Sequence, residues 1–175
     1  MNSSILKNFE FLGNPIVGLF DFVCGNNTEF KMQKISDSFY RSSDASMNIP
    51  QLAKYGIKTI LNLKIINKKE LAKLTKVAKE HGIEYINIPI NPFKLDNSIN
   101  EILDIIKTAS EENPLLVHCT FGRDRTGFVT ALYQNLKEDV PMQEAISDMY
   151  EHGFRRLFFN MEQYLRGFNK TALDA

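Results

Sequence analysis

Beyond residue 29 the apolar positions of this chain fall into short runs separated by stretches with helical spacing. Residues 30–35 and 38–41 read as strand-like pieces with Ser36-Asp37 as turn residues between them, which predicts a hairpin. Pro50 stands where a first helical turn tolerates it, Leu52, Ala53 and Tyr55 follow, and Gly56 stops the segment. Residues 57–63 then form an apolar run suited to a buried strand. Asn67 with Glu70 has the spacing of a capping box, and Leu71, Leu74, Val77 and Ala78 repeat on one face up to His81-Gly82. Residues 83–88 give the next strand. Pro89 and Pro92 enforce a loop that carries Asn91, Phe93, Lys94 and Asp96. Ser98 with Glu101 repeats the capping pattern ahead of a stripe of Ile99, Ile102, Leu103, Ile106 and Ala109. After the short run 114–117, Phe128, Val129, Leu132, Tyr133 and Leu136 recur at helical spacing. Helices starting at Pro141 and around residues 158–168 complete a helical C-terminal third.

Strands alternating with helical segments predict an α/β fold, with a central, mainly parallel sheet of four to five strands flanked by helices. Residues 1–29 show neither alternation nor a helical face, so they are expected to be an irregular lead-in packed on a single domain spanning 30–175. With 43% hydrophobic residues the chain can bury a sizeable core, and no repeat or linker supports a second domain. Twenty-one basic residues balance twenty-one acidic ones, so no global field recruits nucleic acid, and any attraction for anions must be local. Two cysteines make no disulfide framework. No run reaches the roughly 18 apolar residues of an integral membrane segment, and the start lacks a signal-peptide pattern. The expectation is a soluble protein, cytoplasmic where synthesised, with a specialised export route left open.

The chemistry concentrates in His118-Cys119-Thr120-Phe121-Gly122-Arg123-Asp124-Arg125-Thr126-Gly127, between a strand and a helix. Backbone N–H groups of such a loop, with the helix N-terminus behind them, suit a phosphate dianion. Cys119 is the candidate nucleophile, since a thiolate attacks phosphorus. Arg125 can clamp two phosphate oxygens with its planar fork. Residues Thr120 to Arg125 supply the phosphate-binding amides. Gly122 lets the loop turn tightly without a side chain blocking the anion, and Gly127 lets the helix start close to the sheet. Thr126 can donate a hydroxyl hydrogen bond to the sulfur as it leaves. His118 can hold the loop by hydrogen bonding to backbone and help depress the thiol pKa, or simply fill space beside the sheet.

The segment resembles the signature of the cysteine-dependent protein-tyrosine and dual-specificity phosphatase superfamily: His-Cys, five residues, Arg, Thr-Gly. Upstream, Phe39-Tyr40-Arg41-Ser42 and the stretch from Gly56 to Lys64 resemble the first strand and crossover of compact atypical dual-specificity phosphatases. The resemblance covers about residues 30–168 and implies a tyrosine-phosphatase-like fold, a phosphocysteine intermediate, and neither metal nor cofactor. Arg123-Asp124 is similar to the Lys-Asp pair of a bacterial subgroup whose members act on phosphoinositides as well as phosphotyrosine.

One departure matters for mechanism. The family usually supplies an aspartate as general acid from a loop about thirty residues before the cysteine, and here Asn91-Pro92 stand in that region. Two carboxyls remain: Asp124, preferred because an in-loop acid resembles the arrangement of myotubularin-like lipid phosphatases, and Asp96, which also reads as a turn residue before the Ser98 cap. Arg123 can add charge at the pocket rim, Phe121 can wall an aryl or inositol ring, and Arg41 and Lys64 near strand ends can reach bound phosphates. Cys24 reads as a packed or surface thiol or as the partner of a protective disulfide with Cys119. His81 and His152 sit at predicted helix ends, where they can interact with the C-terminal dipole. The expected activity is phosphomonoester hydrolysis on a phosphorylated protein. The alternatives are an inositol phosphate or phosphoinositide as substrate, and an inactive phosphate-binding module.

Overall fold

The computed structural model describes residues 18–22 and 30–170. Its centre is a six-stranded sheet: β1 (Gly18–Phe22), β2 (Phe30–Lys34), β3 (Phe39–Ser42), β4 (Thr59–Asn62), β5 (Glu84–Asn87) and β6 (Leu115–His118). The spatial order is β1-β2-β3-β6-β4-β5. β1, β2 and β3 pair antiparallel, which places the expected hairpin, whereas β3, β6, β4 and β5 run parallel. The fold class is the one expected, with one strand more. β1 lies within the stretch expected to be irregular, so that description is corrected for Gly18–Phe22; the rest of the lead-in, Cys24 included, lies outside the described residues.

The helices follow the predicted boundaries closely. α1 is Ile49–Lys54, and α2 is Lys68–Glu80, capped by the Asn67 side chain, which accepts from the Glu70 amide at 2.9 Å. α3, Ser98–Thr108, starts differently from the expected capping box: the Asp96 Oδ1 accepts from the Ser98 amide at 3.0 Å, and its N-cap residue, Asn97, makes no side-chain capping bond. α4 (Asp124–Lys137), α5 (Met142–Glu151), a 3-10 turn (Arg156–Phe158) and α6 (Phe159–Gly167) make the C-terminal third helical.

β6 carries the logic of the core. Its four residues are all buried, as an apolar run flanked by two parallel neighbours should be. Alternation sends Leu115 and Val117 into a cluster with α3, α4, α5 and α6, and Leu116 into a second cluster with Leu52, Ile60, Leu74 and Ala78 under α1 and α2. α4 lies in the thick of the larger cluster and is buried all round from Thr126 to Gln134, beyond the single stripe its apolar spacing suggests. Among the described residues no helix is long and apolar enough to cross a membrane.

Candidate active site

The parallel register aligns Ser42 of β3, His118 of β6 and Asn62 of β4 at the carboxyl edge of the sheet. The nucleophile loop leaves from this edge, where open α/β sheets place their ligands. Cys119, next along the chain, is a buried free thiol in the α4-side cluster. The loop turns at Gly122 with φ of +69°, and a Cβ there would stand 2.7 Å from the Ser42 carbonyl oxygen. Glycine is therefore required by the contact with the β3 backbone as well as by its φ. Gly127 serves another contact than the one expected: a Cβ would lie 3.0 Å from Met149 Cγ, so its role is the approach of α4 to α5.

Arg125 bends back across the loop. Its Nη2 donates to Thr120 Oγ1 at 3.2 Å and its Nη1 to the Leu63 carbonyl at 3.1 Å. The guanidinium thus bridges the start of the loop and the end of β4. The Thr126 hydroxyl is buried and has no hydrogen-bond partner among the described residues. Phe121 stands exposed on the rim, with the Arg123 guanidinium 5.3 Å from its ring centre. Beside Thr120 and Phe121 opens a groove of about 480 Å3, also lined by Phe30, Asp44 and Met47.

Three expected roles change. His118 is wholly buried, and desolvation lowers its pKa from 6.5 to about 4, so the ring is neutral at physiological pH. Its Nδ1 lies 3.4 Å from the Ala45 amide and 3.3 Å from the Cys119 carbonyl. It holds the loop, and carries no charge with which to act on the thiol. Arg41 is no rim residue: it is 3% exposed and its Nη2 donates to the Gly122 carbonyl at 2.9 Å, bracing the loop from β3. Lys64 does not stand ready for phosphate either, because its Nζ pairs with Asp44 Oδ2 at 2.5 Å. Asp44 also takes the Ser46 hydroxyl at 2.6 Å and faces His118 Nδ1 at 3.8 Å, so one carboxylate gathers β4, β6 and the segment after β3.

The candidate acids are both engaged. The Asp124 carboxylate, buried at the start of α4, accepts from Arg155 Nε at 3.2 Å to each oxygen, from Nη2 at 2.8 Å and from the Arg155 amide at 3.0 Å. Asp124, the preferred candidate for proton donor, is thus engaged with Arg155 and ties the start of α4 to the chain beyond α5. Asp96 is exposed, and hydrogen bonds from Ser98 hold its carboxyl below the usual range. Asn91, in the region of the usual aspartate, closes a local turn by accepting from the Phe93 amide at 3.0 Å. Arg155 escaped the sequence reading because its partner is 31 positions away. It also lies over the Phe158 ring at 4.9 Å, and Phe158 meets Phe93 edge-on at 5.2 Å, which links the loop around Asn91 to Asp124. The two remaining histidines do cap helices: His81 Nδ1 is 2.9 Å from the Val77 carbonyl and His152 Nδ1 is 2.8 Å from that of Asp148.

The family model described as "Dual specificity phosphatase, catalytic domain" matches residues 39–166, from the first residue of β3 into α6. The chain belongs to this dual specificity phosphatase family. Among curated relatives it is 24% identical over 125 residues to the dual specificity protein phosphatase TpbA of Pseudomonas aeruginosa, a match covering 70% of this chain and 55% of TpbA. The chain thus spans little more than half the length of that relative. The TpbA crystal structure superimposes with a TM-score of 0.63 at 21% identity, covering 81% of this chain and 87% of the other. Tk-PTP in a mutant form gives 0.63 at 18% identity over 82% and 96%, and the core domain of the PP-IP phosphatase SIW14 from S. cerevisiae 0.57 at 19% over 75% and 81%. At these identities the superpositions show a shared fold.

Proposed function

We propose that this chain is a phosphomonoester hydrolase working through a phosphocysteine at Cys119. The observation that supports the reading is Arg125 folded back across the loop that follows Cys119, with hydrogen bonds to Thr120 and to the Leu63 carbonyl. The Cys119 thiolate attacks phosphorus, and the ester oxygen leaves with the electron pair of the broken P–O bond. Loop amides and Arg125 stabilise the equatorial oxygens in flight. Water then attacks the phosphocysteine, releasing phosphate and returning the thiolate, towards which the unpartnered Thr126 hydroxyl can turn.

The substrate follows from the proton. Asp124 is bound by Arg155 and Asp96 caps an exposed turn, so neither of the two candidate carboxyls stands free to protonate the leaving oxygen. Aryl leaving groups, which depart as relatively stable anions, therefore turn over best, and the exposed Phe121 beside the groove offers their ring an apolar face. This favours phosphotyrosine over phosphoserine and over inositol phosphates, whose alkoxide leaving groups need a proton. The test is phosphate release from phosphotyrosine and phosphoserine peptides, soluble inositol phosphates and phosphoinositides, with Cys119→Ser as the blank. Expected is activity abolished in Cys119→Ser and kcat/KM greatest for aryl esters. Preference for an inositol phosphate would overturn the substrate assignment; phosphate bound without any hydrolysis would overturn the enzyme.

A further inference from the structure

Large apolar side chains are exposed at seven places among the described residues, and six of them gather at one end of the molecule. Four follow from the topology. Met47, Ile65, Phe93 and Phe121 stand in the connections that leave the carboxyl ends of β3, β4, β5 and β6. These strands run parallel, so all four connections emerge at the edge that carries the nucleophile loop. The other two, Leu157 and Phe159, flank Phe158, whose ring meets Phe93 edge-on at 5.2 Å and lies under the Arg155 guanidinium that holds Asp124. Tyr55 is the exception, placed at the end of α1 just before β4 begins. With Met47 87% exposed and Ile65 75%, these are side chains set in water rather than core residues incompletely covered. Single exposed apolar residues are ordinary, but a concentration of them at one end, interspersed with polar groups, marks an interaction surface.

The charge there selects the partner. The four connections and the α5–α6 turn, each taken with the first three residues of the helix it enters, span 43–51, 63–70, 88–100, 119–126 and 152–161. They hold eight basic residues and four acidic ones in a chain balanced at twenty-one of each, so the rest of the molecule is left net acidic. Two of the acids are spent, Asp44 on Lys64 and Asp124 on Arg155. Glu70 and Asp96 remain against Lys68, Lys69, Lys94, Arg123, Arg125 and Arg156. Arg123 shows the arrangement at its smallest, with its guanidinium 5.3 Å from the centre of the exposed Phe121 ring. The six apolar groups come from five separate segments, which a protein partner would have to match in shape one by one. A bilayer accepts each side chain independently at its interface, while anionic headgroups meet the cations between them.

We propose that the carboxyl end of the sheet is a membrane-docking face that seats this chain on an anionic lipid surface, with the nucleophile loop turned towards the headgroups. Docking needs no turnover and so stands apart from the phosphatase reading. Joined to it, this orientation brings Cys119 to phosphate esters held at the membrane surface.

The chain contains no tryptophan, so one introduced on the face reports on its own surroundings. Ile65→Trp, Leu157→Trp and, at the other end, Tyr55→Trp are mixed with vesicles of phosphatidylcholine alone or with about one-third phosphatidylserine. Emission should shift to the blue for Ile65→Trp and Leu157→Trp on the anionic vesicles only, and for Tyr55→Trp on neither. Co-sedimentation with the same vesicles measures affinity. Ile65→Ser with Leu157→Ser should weaken binding about fivefold or more, and Lys68→Glu with Lys69→Glu about tenfold or more. Both pairs should keep the circular dichroism spectrum and the hydrolysis of a soluble aryl phosphate. Absence of binding to anionic vesicles overturns the proposal, including the case in which analytical ultracentrifugation finds a second copy covering the face. Equal shifts at all three tryptophan positions overturn it, as does binding indifferent to the paired serine substitutions. A protein that docks in this way and hydrolyses nothing sinks the activity and leaves the docking face standing.

Discussion

Asp124 shows how one residue's role turns on its partner. Held by four hydrogen bonds from Arg155, it ties the first turn of α4 to the chain beyond α5. Asp124→Asn should then lower kcat/KM by about tenfold or more through misplaced loop geometry, equally for aryl and alkyl phosphates. Arg155→Met should reproduce the effect. A proton donor would behave differently, sparing esters with good leaving groups, so a leaving-group series on both variants decides between them. His118 yields a second prediction. Its pKa falls from 6.5 to about 4 on folding, so the unfolded chain binds the extra proton between these values. Stability is complete above about pH 6.5 and declines as pH falls towards 4, by on the order of 3 kcal/mol. Urea titrations across that window should show this slope in the wild type and not in His118→Gln. At this scale the strand–loop–helix that carries Cys119 and Arg125 was legible because its spacing is local. Arg155 and Asp44 were not, because their partners come from distant segments.

At the scale of elements, β3, the loop and α4 act as one fitted unit. The Arg41 brace and the Gly122 contact with Ser42 both cross from β3 to the loop. Gly122→Ala combines an unfavourable φ with a backbone collision, so a loss of about 2–4 kcal/mol is expected, read as a lowered denaturant midpoint together with lost turnover. An unaltered midpoint would mean that the loop stands away from β3. Helices were legible from stripes and caps, as with Asn67, and the buried strands from short apolar runs. β1 was not, since Gly18-Leu19-Phe20-Asp21-Phe22 sits among glycines and phenylalanines without clean alternation, and its ladder comes from β2. The start of α3 shows a subtler limit: spacing proposed Ser98 as the cap, and Asp96 supplies the carboxylate.

In the whole molecule Cys119 follows directly on β6, a fully buried strand with a parallel neighbour on each side. Strand order cannot be read from one sequence, because β6 joins β3 and β4 only when crossovers of very different length have closed. That order has a consequence for how the molecule comes apart. Amides of β6 lie between two parallel neighbours and two apolar clusters, so they should exchange with solvent only when the whole domain unfolds, while amides in the 89–97 loop exchange by local opening. Native-state exchange by mass spectrometry measures both. If β6 is the last strand to open, the cysteine that follows it has no partly unfolded state of its own, and catalytic competence should vanish in the same cooperative step as the fold.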